Sequence, residues 1–276
     1  MTQLKKGGLR ARVAAAALWG PGLEGWEASL PVLRGEAPYE PRPSPAPPSP
    51  LLPPAERRRT GPVARLALAV AAEAASRSGL PPASLRAVFG SSNGDGPVVG
   101  GILEALAPGD LPRLVSPTQF HLSVHNAAAG LWSIATGNPE PATCLGCHDA
   151  TWAACLLTAM ADVTAEGRPV LVCAYDHPLP PPLDAKRPTA APFGAALVLL
   201  SDSSERDALA RIAVRHRPDP VPAEAVEPRA EELRPLALGN PAAQALRLLE
   251  SLARGEAASC PAPYLDGHLE MKLTPC

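Results

Sequence analysis

Two short, unbroken apolar runs limit the fold of this chain more than any other feature. Residues 169–174 and 193–200 contain no charged side chain, and each is flanked by turn-forming residues. Runs of this length are typical of strands buried on both faces of a sheet. Segments with helical spacing alternate with the strand-like ones, which predicts an α/β fold. We expect a mostly parallel mixed sheet with helices on both faces.

The order of elements follows from the same patterns, with glycine and proline marking the ends. Two proline-dense segments, residues 36–54 and 178–188, are expected to be extended loops because proline removes backbone donors. The predicted strands cover residues 10–18, 85–89, 141–145, 169–174, 193–200, 208–214 and 268–273, and the predicted helices cover residues 23–33, 62–77, 97–106, 117–136, 149–166 and 242–253.

Composition excludes several classes of protein. The chain has 276 residues, a formal charge of -2 and a pI near 6.3, which gives no electrostatic footprint for nucleic acid or an anionic membrane. The apolar stretch near the amino end, residues 13–18, is shorter than the core of a secretory signal. No segment has the 18 or so apolar residues of a membrane span. We therefore expect a cytoplasmic protein whose six cysteines are reduced.

A Cys-X-X-Cys-His motif spans Cys144, Cys147 and His148. It fits covalent haem attachment, but that chemistry requires export. A zinc site would need a second ligand pair, and a thioredoxin-like redox pair stays open because a helix follows. His121 and His125 lie one helical turn apart, yet Leu122 stands where a metallohydrolase has glutamate. We therefore expect unreactive thiols at Cys144 and Cys147 and a packing or interface role for His121 and His125. We expect no metal and no cofactor.

The junction after the predicted strand 141–145 is the most informative position for chemistry. A turn from strand to helix exposes one side chain and directs helix-end amides at a developing oxyanion, so it suits a nucleophile. Asp149 begins the predicted helix there. A carboxylate at a helix amino terminus is held in its charged form, which makes it a poor thioester nucleophile. The glycine-rich turn at residues 90–96 fits neither a dinucleotide loop nor a P-loop, and is expected to be structural.

The segments that carry a resemblance to a known family are, in chain order, residues 16–22 with Trp26, Arg57-Arg58 before the helix 62–77, residues 88–95, residues 115–120, residues 125–130, and the strands 169–174 and 193–200. Taken in order, they resemble the β-ketoacyl synthases of the thiolase-like group. Residues 125–130 with residues 132–137 look closest to the single-half members assigned as chain-length factors, which accompany a ketosynthase in aryl-polyene-type pathways.

Two departures from that family concern the reacting groups. Active relatives carry Thr-Ala-Cys at the junction, and counting back from Gly167 places Asp149 there, or Ala150 with a slip of one residue. Cys147 lies two residues too early, which is a shift of about 7 Å along an extended chain. The family's two catalytic histidines belong to a second half that has no counterpart in these 276 residues.

The resemblance therefore implies a thiolase-like half fold, with residues 1–202 as the ketosynthase amino-terminal domain and residues 203–276 as a truncated extension packing on it. It implies a non-catalytic, chain-length-factor-like subunit of polyketide, aryl-polyene or fatty-acid-like biosynthesis. Its partners would be a β-ketoacyl-ACP synthase and, through the complex, the acyl carrier protein. The alternative is a free-standing thiol acyltransferase or condensing enzyme that uses Cys147. The predicted interface comprises Phe120, His121, Val124, His125, Trp132, Ala142, Thr143, Cys144 and Leu145.

Overall fold

A computed structural model describes residues 8–43, 47, 51–107, 114–221 and 223–276. Within these residues, ten strands form one sheet. They are β1 (Leu9–Gly20), β2 (Leu23–Glu24), β3 (Arg86–Gly90), β4 (Ala142–Leu145), β5 (Val170–Asp176), β6 (Phe193–Ser201), β7 (Ala210–Arg217), β8 (Ala258–Ser259), β9 (Ala262–Tyr264) and β10 (Gly267–Pro275).

The helices alternate with these strands in the first two thirds of the chain. Proline or a polar cap opens several of them, and a glycine with positive φ closes the long helix α3 at Gly79. They are α1 (Trp26–Arg34), α2 (Pro54–Arg59), α3 (Pro62–Ser78), α4 (Gly96–Leu106), α5 (Pro117–Leu122), α6 (Ala127–Thr136), α7 (Thr151–Glu166), α8 (Ala223–Val226), α9 (Arg234–Gly239) and α10 (Leu246–Arg254).

The strand order along the sheet is β4-β3-β5-β6-β1-β7-β10-β8, with β2 paired to β1 and β9 paired to β10. β1 lies in the middle of the sheet and is antiparallel to both β6 and β7. β4, which was predicted as a strand at residues 141–145, pairs with β3 alone and forms one end of the sheet. The expected division at residue 202 falls in the turn between β6 and β7, and it stays a prediction.

The α/β architecture and the mixed sheet are confirmed, but the expected majority of parallel pairs is wrong. Only β3 with β4 and β3 with β5 are parallel among the described pairs. These three strands are joined by helices, as parallel neighbours require. β5 and β6 are antiparallel although both are apolar throughout. Unbroken apolar runs report burial on both faces, and burial does not specify strand direction.

Helices cover both faces of the sheet, as predicted. On one face α7, α1 and α10 pack against β1, β5, β6, β7 and β10, with Trp152 fully buried among them. On the other face α3 and α6 pack against β1, β3, β5 and β6, with Trp132 fully buried. No helix in the described ranges is long and apolar enough to cross a membrane.

The predicted helix at residues 117–136 is divided in two. Ser123 donates both its backbone N–H and its hydroxyl to the carbonyl of Phe120, at 3.2 and 2.8 Å, which replaces the next helical hydrogen bond. Asn126 then lies at the amino end of α6. Short polar side chains compete with the helix for backbone groups in this way. The change of direction between α5 and α6 follows from that competition.

Other elements differ at their ends. The helix predicted from residue 149 is preceded by a 3-10 turn at His148–Ala150, and α7 begins at Thr151. A 3-10 segment at Pro241–Ala245 likewise precedes α10. Within the proline-dense segment 36–54, residues 44–46 and 48–50 lie outside the described residues, and α2 starts at its final proline.

α7 approaches the end of β3 so closely that a methyl group added at Gly90 should lower the stability of the protein. A Cβ at Gly90 would overlap the Cys155 sulfur and lie 2.9 Å from a methyl of Thr151. We expect Gly90→Ala to lower the free energy of unfolding by about 1–3 kcal/mol through overpacking. Gly130→Ala, where a Cβ would meet nothing within 4 Å, is the matched control and should raise it by about 0.5–1 kcal/mol. Urea unfolding measures both, and equal effects would contradict this account.

Candidate functional site

The candidate site is the elbow, residues 146–150, which joins the edge strand β4 to α7. His148 has a φ of 52°, a left-handed conformation that is uncommon outside glycine. Thr151 fixes this turn, since its hydroxyl donates to the His148 carbonyl at 2.7 Å and accepts from the Cys147 N–H at 3.0 Å. The elbow therefore has a defined, strained geometry of the kind that presents a side chain at a reacting position.

Asp149 is held in its charged form within the elbow. Arg187 donates a short hydrogen bond to one carboxylate oxygen, and His148 Nδ1 lies 3.2 Å from the other. The hydrogen bond from Arg187 lowers the pKa of Asp149 below its ordinary value, and burial acts in the opposite direction. A carboxylate so paired is a poor nucleophile toward a thioester and a poor proton donor.

Arg187 is itself positioned by the glycine-rich turn at residues 90–96. Its guanidinium donates to Ser92 Oγ at 2.7 Å and to Asn93 Oδ1 at 3.4 Å. That turn is organised by Asp176, whose Oδ1 accepts from Ser91 Oγ at 2.9 Å and from the Ser92 and Asn93 N–H groups at 2.8 and 3.1 Å. These contacts hold the turn together and link a buried carboxylate to the elbow, and its purely structural role stays a prediction.

Asp176 is fully buried at the end of β5. Its Oδ2 atom has no hydrogen-bond partner among the described residues. Burial raises the pKa of Asp176 to about 6, although the hydrogen bonds from Ser91, Asn93 and Ser92 act to lower it. The sequence analysis missed Asp176 and Arg187. Asp176 could have been recognised as an acidic residue at the end of an apolar strand. The sequence of the proline-rich loop contains no pattern that would have indicated a role for Arg187.

The three cysteines around the elbow differ in accessibility. Cys147 is exposed, Cys144 is half-buried and Cys155 is fully buried. Burial raises the pKa of the Cys144 thiol, and it raises the pKa of the Cys155 thiol far more strongly. Among the residues that the structure describes, no three His, Cys, Asp or Glu side chains come together as a metal site. The Cys144–His148 motif therefore forms no ligand cluster there.

His125 lies beside the elbow. Its spacing of four residues from His121 did not predict this position. A Cβ at Gly146 would be 3.1 Å from His125 Cε1 and 3.3 Å from Nε2, so the absence of a side chain at Gly146 makes room for the imidazole. His121 lies one turn earlier on α5, and both histidines are exposed. The break between α5 and α6 separates their environments.

Most of the predicted interface residues are at least partly exposed, and their assignment to an interface stays a prediction. Phe120 is 67% exposed and Val124 is 46% exposed, and Ala142 is exposed on β4. Thr143, Cys144 and Leu145 are partly buried on the same strand.

Trp132 is different, and its assignment to an interface surface is wrong. Its side chain is fully buried against Phe89, with ring centroids 6.3 Å apart. α6 directs Trp132 at the sheet, while Ile134 on the opposite side of the helix is 79% exposed. The sequence missed Ile134 because one apolar residue on a largely apolar helix carries no sign of its direction.

A cavity of about 460 Å³ opens beside the Asp149–Arg187 ion pair. Its wall is largely aliphatic and comes from the segments around α8, α9 and the 3-10 turn before α10. The lining residues include Val221, Val226, Ala237, Leu238 and Pro241. This volume suits a small apolar or amphipathic group.

The pKa of Asp176 predicts a defined dependence of stability on pH. Because the folded pKa of about 6 exceeds the ordinary 3.8, the folded protein retains a proton that the unfolded chain has released. Stability should therefore fall as pH rises from about 3.8 to 6, by about 3 kcal/mol at roughly 1.4 kcal/mol per pKa unit. Asp176→Asn keeps the accepting Oδ1 and should remove this component, as urea unfolding from pH 4 to 7.5 would show.

Asp149→Asn is the control with the opposite sign. A lowered folded pKa contributes stability above the unfolded pKa, and this contribution is lost as pH falls through the folded pKa. Parallel pH profiles for wild type and Asp176→Asn would contradict the assignment of the buried carboxylate.

Comparison with solved structures places the fold among ketosynthases. The chain is similar to a ketosynthase (ApeO) in complex with its chain length factor (ApeC) from Xenorhabdus doucetiae, with 21% identity and a TM-score of 0.67 over 96% of this chain and 99% of the other. It is similar to the ishigamide ketosynthase/chain length factor, with 16% identity and a TM-score of 0.67 over 96% and 99%. The type II PKS complex AntDE:AntF gives 12% identity and a TM-score of 0.73 over 98% and 100%.

No curated protein matches the chain. The family described as "Beta-ketoacyl synthase, N-terminal domain" matches residues 34–256, which is well over half of the sequence. The elbow, the strands β3 to β7 and the helices α2 to α10 lie within that match. The chain therefore belongs to the β-ketoacyl synthase amino-terminal-domain family.

Proposed function

We propose that this chain is a non-catalytic, chain-length-factor-like subunit that pairs with a β-ketoacyl-ACP synthase. The observation that carries the proposal is the ion-paired carboxylate of Asp149 at the elbow, where a working condensing enzyme needs a thiolate. Ala150, the alternative position, offers only a methyl group. Because the chain belongs to the β-ketoacyl synthase family, an aspartate at the position of the nucleophilic cysteine would leave this subunit without that nucleophile.

The edge strand β4 supports pairing with another chain. Its outer side has no strand partner within the described ranges. An unprotected edge offers a row of backbone donors and acceptors to a neighbouring strand, so a second subunit that continues the sheet would satisfy them. The predicted residues Ala142, Thr143, Cys144 and Leu145 would then lie in the contact.

An apolar surface next to β4 would enlarge that contact. Phe120, Val124 and Ile134 are large, exposed apolar side chains on α5, α6 and the turn between them. A groove of about 520 Å³ lies between the start of α2, α5 and α6, with Leu131 and Ile134 in its wall. Exposed apolar patches of this kind mark protein interfaces. His121 and His125 would lie at the margin of the same contact.

The similar structures support a heteromeric assembly. Two of them are ketosynthase and chain length factor together, and a third contains an acyl-carrier protein with its ketosynthase. Nearly the whole of this chain matches nearly the whole of one chain in each. We infer the same kind of partner for this chain, with the acyl carrier protein reaching it through the complex.

The subunit would help to shape the acyl cavity of the complex. The aliphatic cavity of about 460 Å³ beside Asp149 is our candidate for the part that this chain lines. Cavity volume would limit the number of elongation cycles in polyketide, aryl-polyene or fatty-acid-like synthesis. The complex would act in the cytoplasm.

The alternative is a free-standing thiol acyltransferase or condensing enzyme that uses Cys147. The exposed thiol and the imidazole of His125 beside Gly146 are the observations that favour it. In that case His148, with its left-handed backbone conformation, lies between the nucleophile Cys147 and the first turn of α7.

The proposed interface predicts the effect of one buried charge. Ile134→Glu would place a carboxylate in the contact, so we expect it to weaken the complex by at least about tenfold, or roughly 1.4 kcal/mol. Leu265→Glu is the matched control, because Leu265 is 75% exposed on the turn between β9 and β10 and is not one of the proposed interface residues. Co-expression with the neighbouring ketosynthase, followed by size-exclusion chromatography, measures complex formation. Equal loss in both variants would contradict the assigned interface.

Two elbow substitutions separate the proposal from its alternative. We expect the complex to retain condensing activity within about twofold in Cys147→Ala and to retain activity in Asp149→Ala, because neither side chain would act as the nucleophile. Single-turnover condensation with the acyl carrier protein measures this. Loss of about a hundredfold or more in Cys147→Ala, with the complex intact, would favour the thiol enzyme instead.

A further inference from the structure

The glycine-rich turn after β3 contains the one Asn-Gly pair of the sequence, Asn93-Gly94. In such a pair the backbone nitrogen of glycine can attack the side-chain carbonyl of asparagine, because glycine has no side chain in the way. Asn138 and Asn240 precede proline, which has no N–H to lose, and Asn126 precedes alanine, whose Cβ hinders the attack. The sequence therefore makes Asn93 the asparagine most open to this reaction.

The side-chain amide of Asn93 is held between two polar groups. Its Nδ2 donates to Thr189 Oγ1 at 2.8 Å, and its Oδ1 accepts from Arg187 Nε at 3.4 Å. A cation beside a carbonyl oxygen stabilises the negative charge that develops there during nucleophilic attack. Arg187 therefore makes the Asn93 carbonyl carbon more electrophilic, and Thr189 lies at the nitrogen that has to leave as ammonia.

The backbone nitrogen of Gly94 has a path for its proton. Its N–H donates to Ser91 Oγ at 2.9 Å, and Ser91 Oγ donates to Asp176 Oδ1 at 2.9 Å. Burial raises the pKa of Asp176 to about 6, so this carboxylate is ionised near neutral pH and can act as a base. The N–H bond lies in the peptide plane, whereas attack uses electron density above that plane. The hydrogen bond to Ser91 therefore leaves the attacking face of the nitrogen open.

We propose that this turn is a self-modification site, at which the chain converts its Asn93-Gly94 pair into a cyclic imide. The Gly94 nitrogen forms a bond to Asn93 Cγ, and the bond between Cγ and Nδ2 breaks. The Gly94 proton passes through Ser91 to Asp176, which returns it to water. Ammonia leaves with a proton from the Thr189 hydroxyl, which water restores. Water then opens the imide to aspartate or isoaspartate, and no other reactant is required.

The burial of these groups suits both steps of the reaction. Ser91 and Asp176 are fully buried, so the hydrogen bonds that carry the proton lie in a medium of low dielectric, where they are stronger than in water. Asn93, Gly94 and Thr189 are partly exposed, so water can reach the imide and ammonia can leave.

The product would place a second carboxylate beside Arg187. Arg187 pairs with Asp149 in the elbow and also donates to Ser92 and Asn93 in the turn. A negative charge at residue 93 would compete with Asp149 for the guanidinium, because opposite charges attract most strongly at short distance. The modification would therefore weaken the ion pair that fixes the elbow. This inference is independent of the proposed function.

The test follows the full chain near neutral pH by peptide mapping with mass spectrometry. The imide is lighter than the original peptide by one ammonia, and the final product carries OH where the amide carried NH2. We expect Asn93 to react at least about tenfold faster in the folded chain than in a synthetic peptide of residues 88–98, because a positioned base and a positioned cation act on it. Asn126 is the internal control in the same map and should stay unmodified.

A pair of serine substitutions distinguishes acceleration by the turn from simple restraint. Ser91→Ala removes the hydroxyl between the Gly94 nitrogen and its base, so we expect it to slow the reaction by at least about tenfold. Ser84→Ala removes a hydroxyl that donates to the Pro81 carbonyl in another turn and should change the rate less than about twofold. A turn that only restrained the chain would give the opposite sign, because the lost hydrogen bond would loosen it and speed the reaction.

A second variant acts on the partly exposed cation instead of the buried hydroxyl. Arg187→Gln removes the charge beside Asn93 Oδ1 and should slow the reaction by at least about tenfold, with urea unfolding to verify that each variant is folded. An Asn93 that reacts no faster in the folded chain than in the peptide would overturn the proposal. Reaction at the wild-type rate or above in folded Ser91→Ala or Arg187→Gln would overturn it as well.

Discussion

The buried carboxylate of Asp176 connects the sheet to the elbow between β4 and α7. Its Oδ1 atom accepts three hydrogen bonds from the turn after β3, and this turn in turn holds the guanidinium of Arg187. Arg187 then pairs with Asp149 in the elbow. A charge inside the protein is tolerated only when it is hydrogen-bonded, so this chain of contacts must form as a unit. The geometry of β3, β5, the proline-rich loop and α7 is thereby coupled.

The elbow that results is held by several hydrogen bonds and an ion pair. Its strained residue, His148, is fixed by Thr151, as a reacting position would require. Its carboxylate is committed to an arginine and a histidine, which stabilises the anion and removes it from acid–base or nucleophilic work. In the proposed function, this elbow would lack the nucleophile and would act beside a subunit that has one. Within the described ranges the outer edge of β4 has no strand partner, and Phe120 and Ile134 are exposed.

Local patterns were sufficient to place most elements but not their directions or their polar contacts. The apolar runs of β5 and β6 and the proline and glycine at the ends of α3 predicted those elements within a few residues. The antiparallel pairing of β5 with β6 was not predictable, because residues buried on both faces are equally apolar in either direction. The burial of Trp132 and the pairing of Arg187 with Asp149 depend on segments that are distant in sequence. Short-range periodicity does not contain that information.

The central position of β1 has a consequence for how the chain is made. β1 ends at Gly20, but its neighbour β6 begins at Phe193, so more than 170 residues separate two strands that pair along most of their length. At about 5–20 residues per second, a ribosome needs roughly 9 to 35 s to cover that interval. During this time the alanine-rich strand lacks both β6 and β7 and cannot bury its apolar side chains in the finished sheet. An apolar strand exposed for that long during synthesis is the kind of surface that makes incomplete chains prone to aggregation.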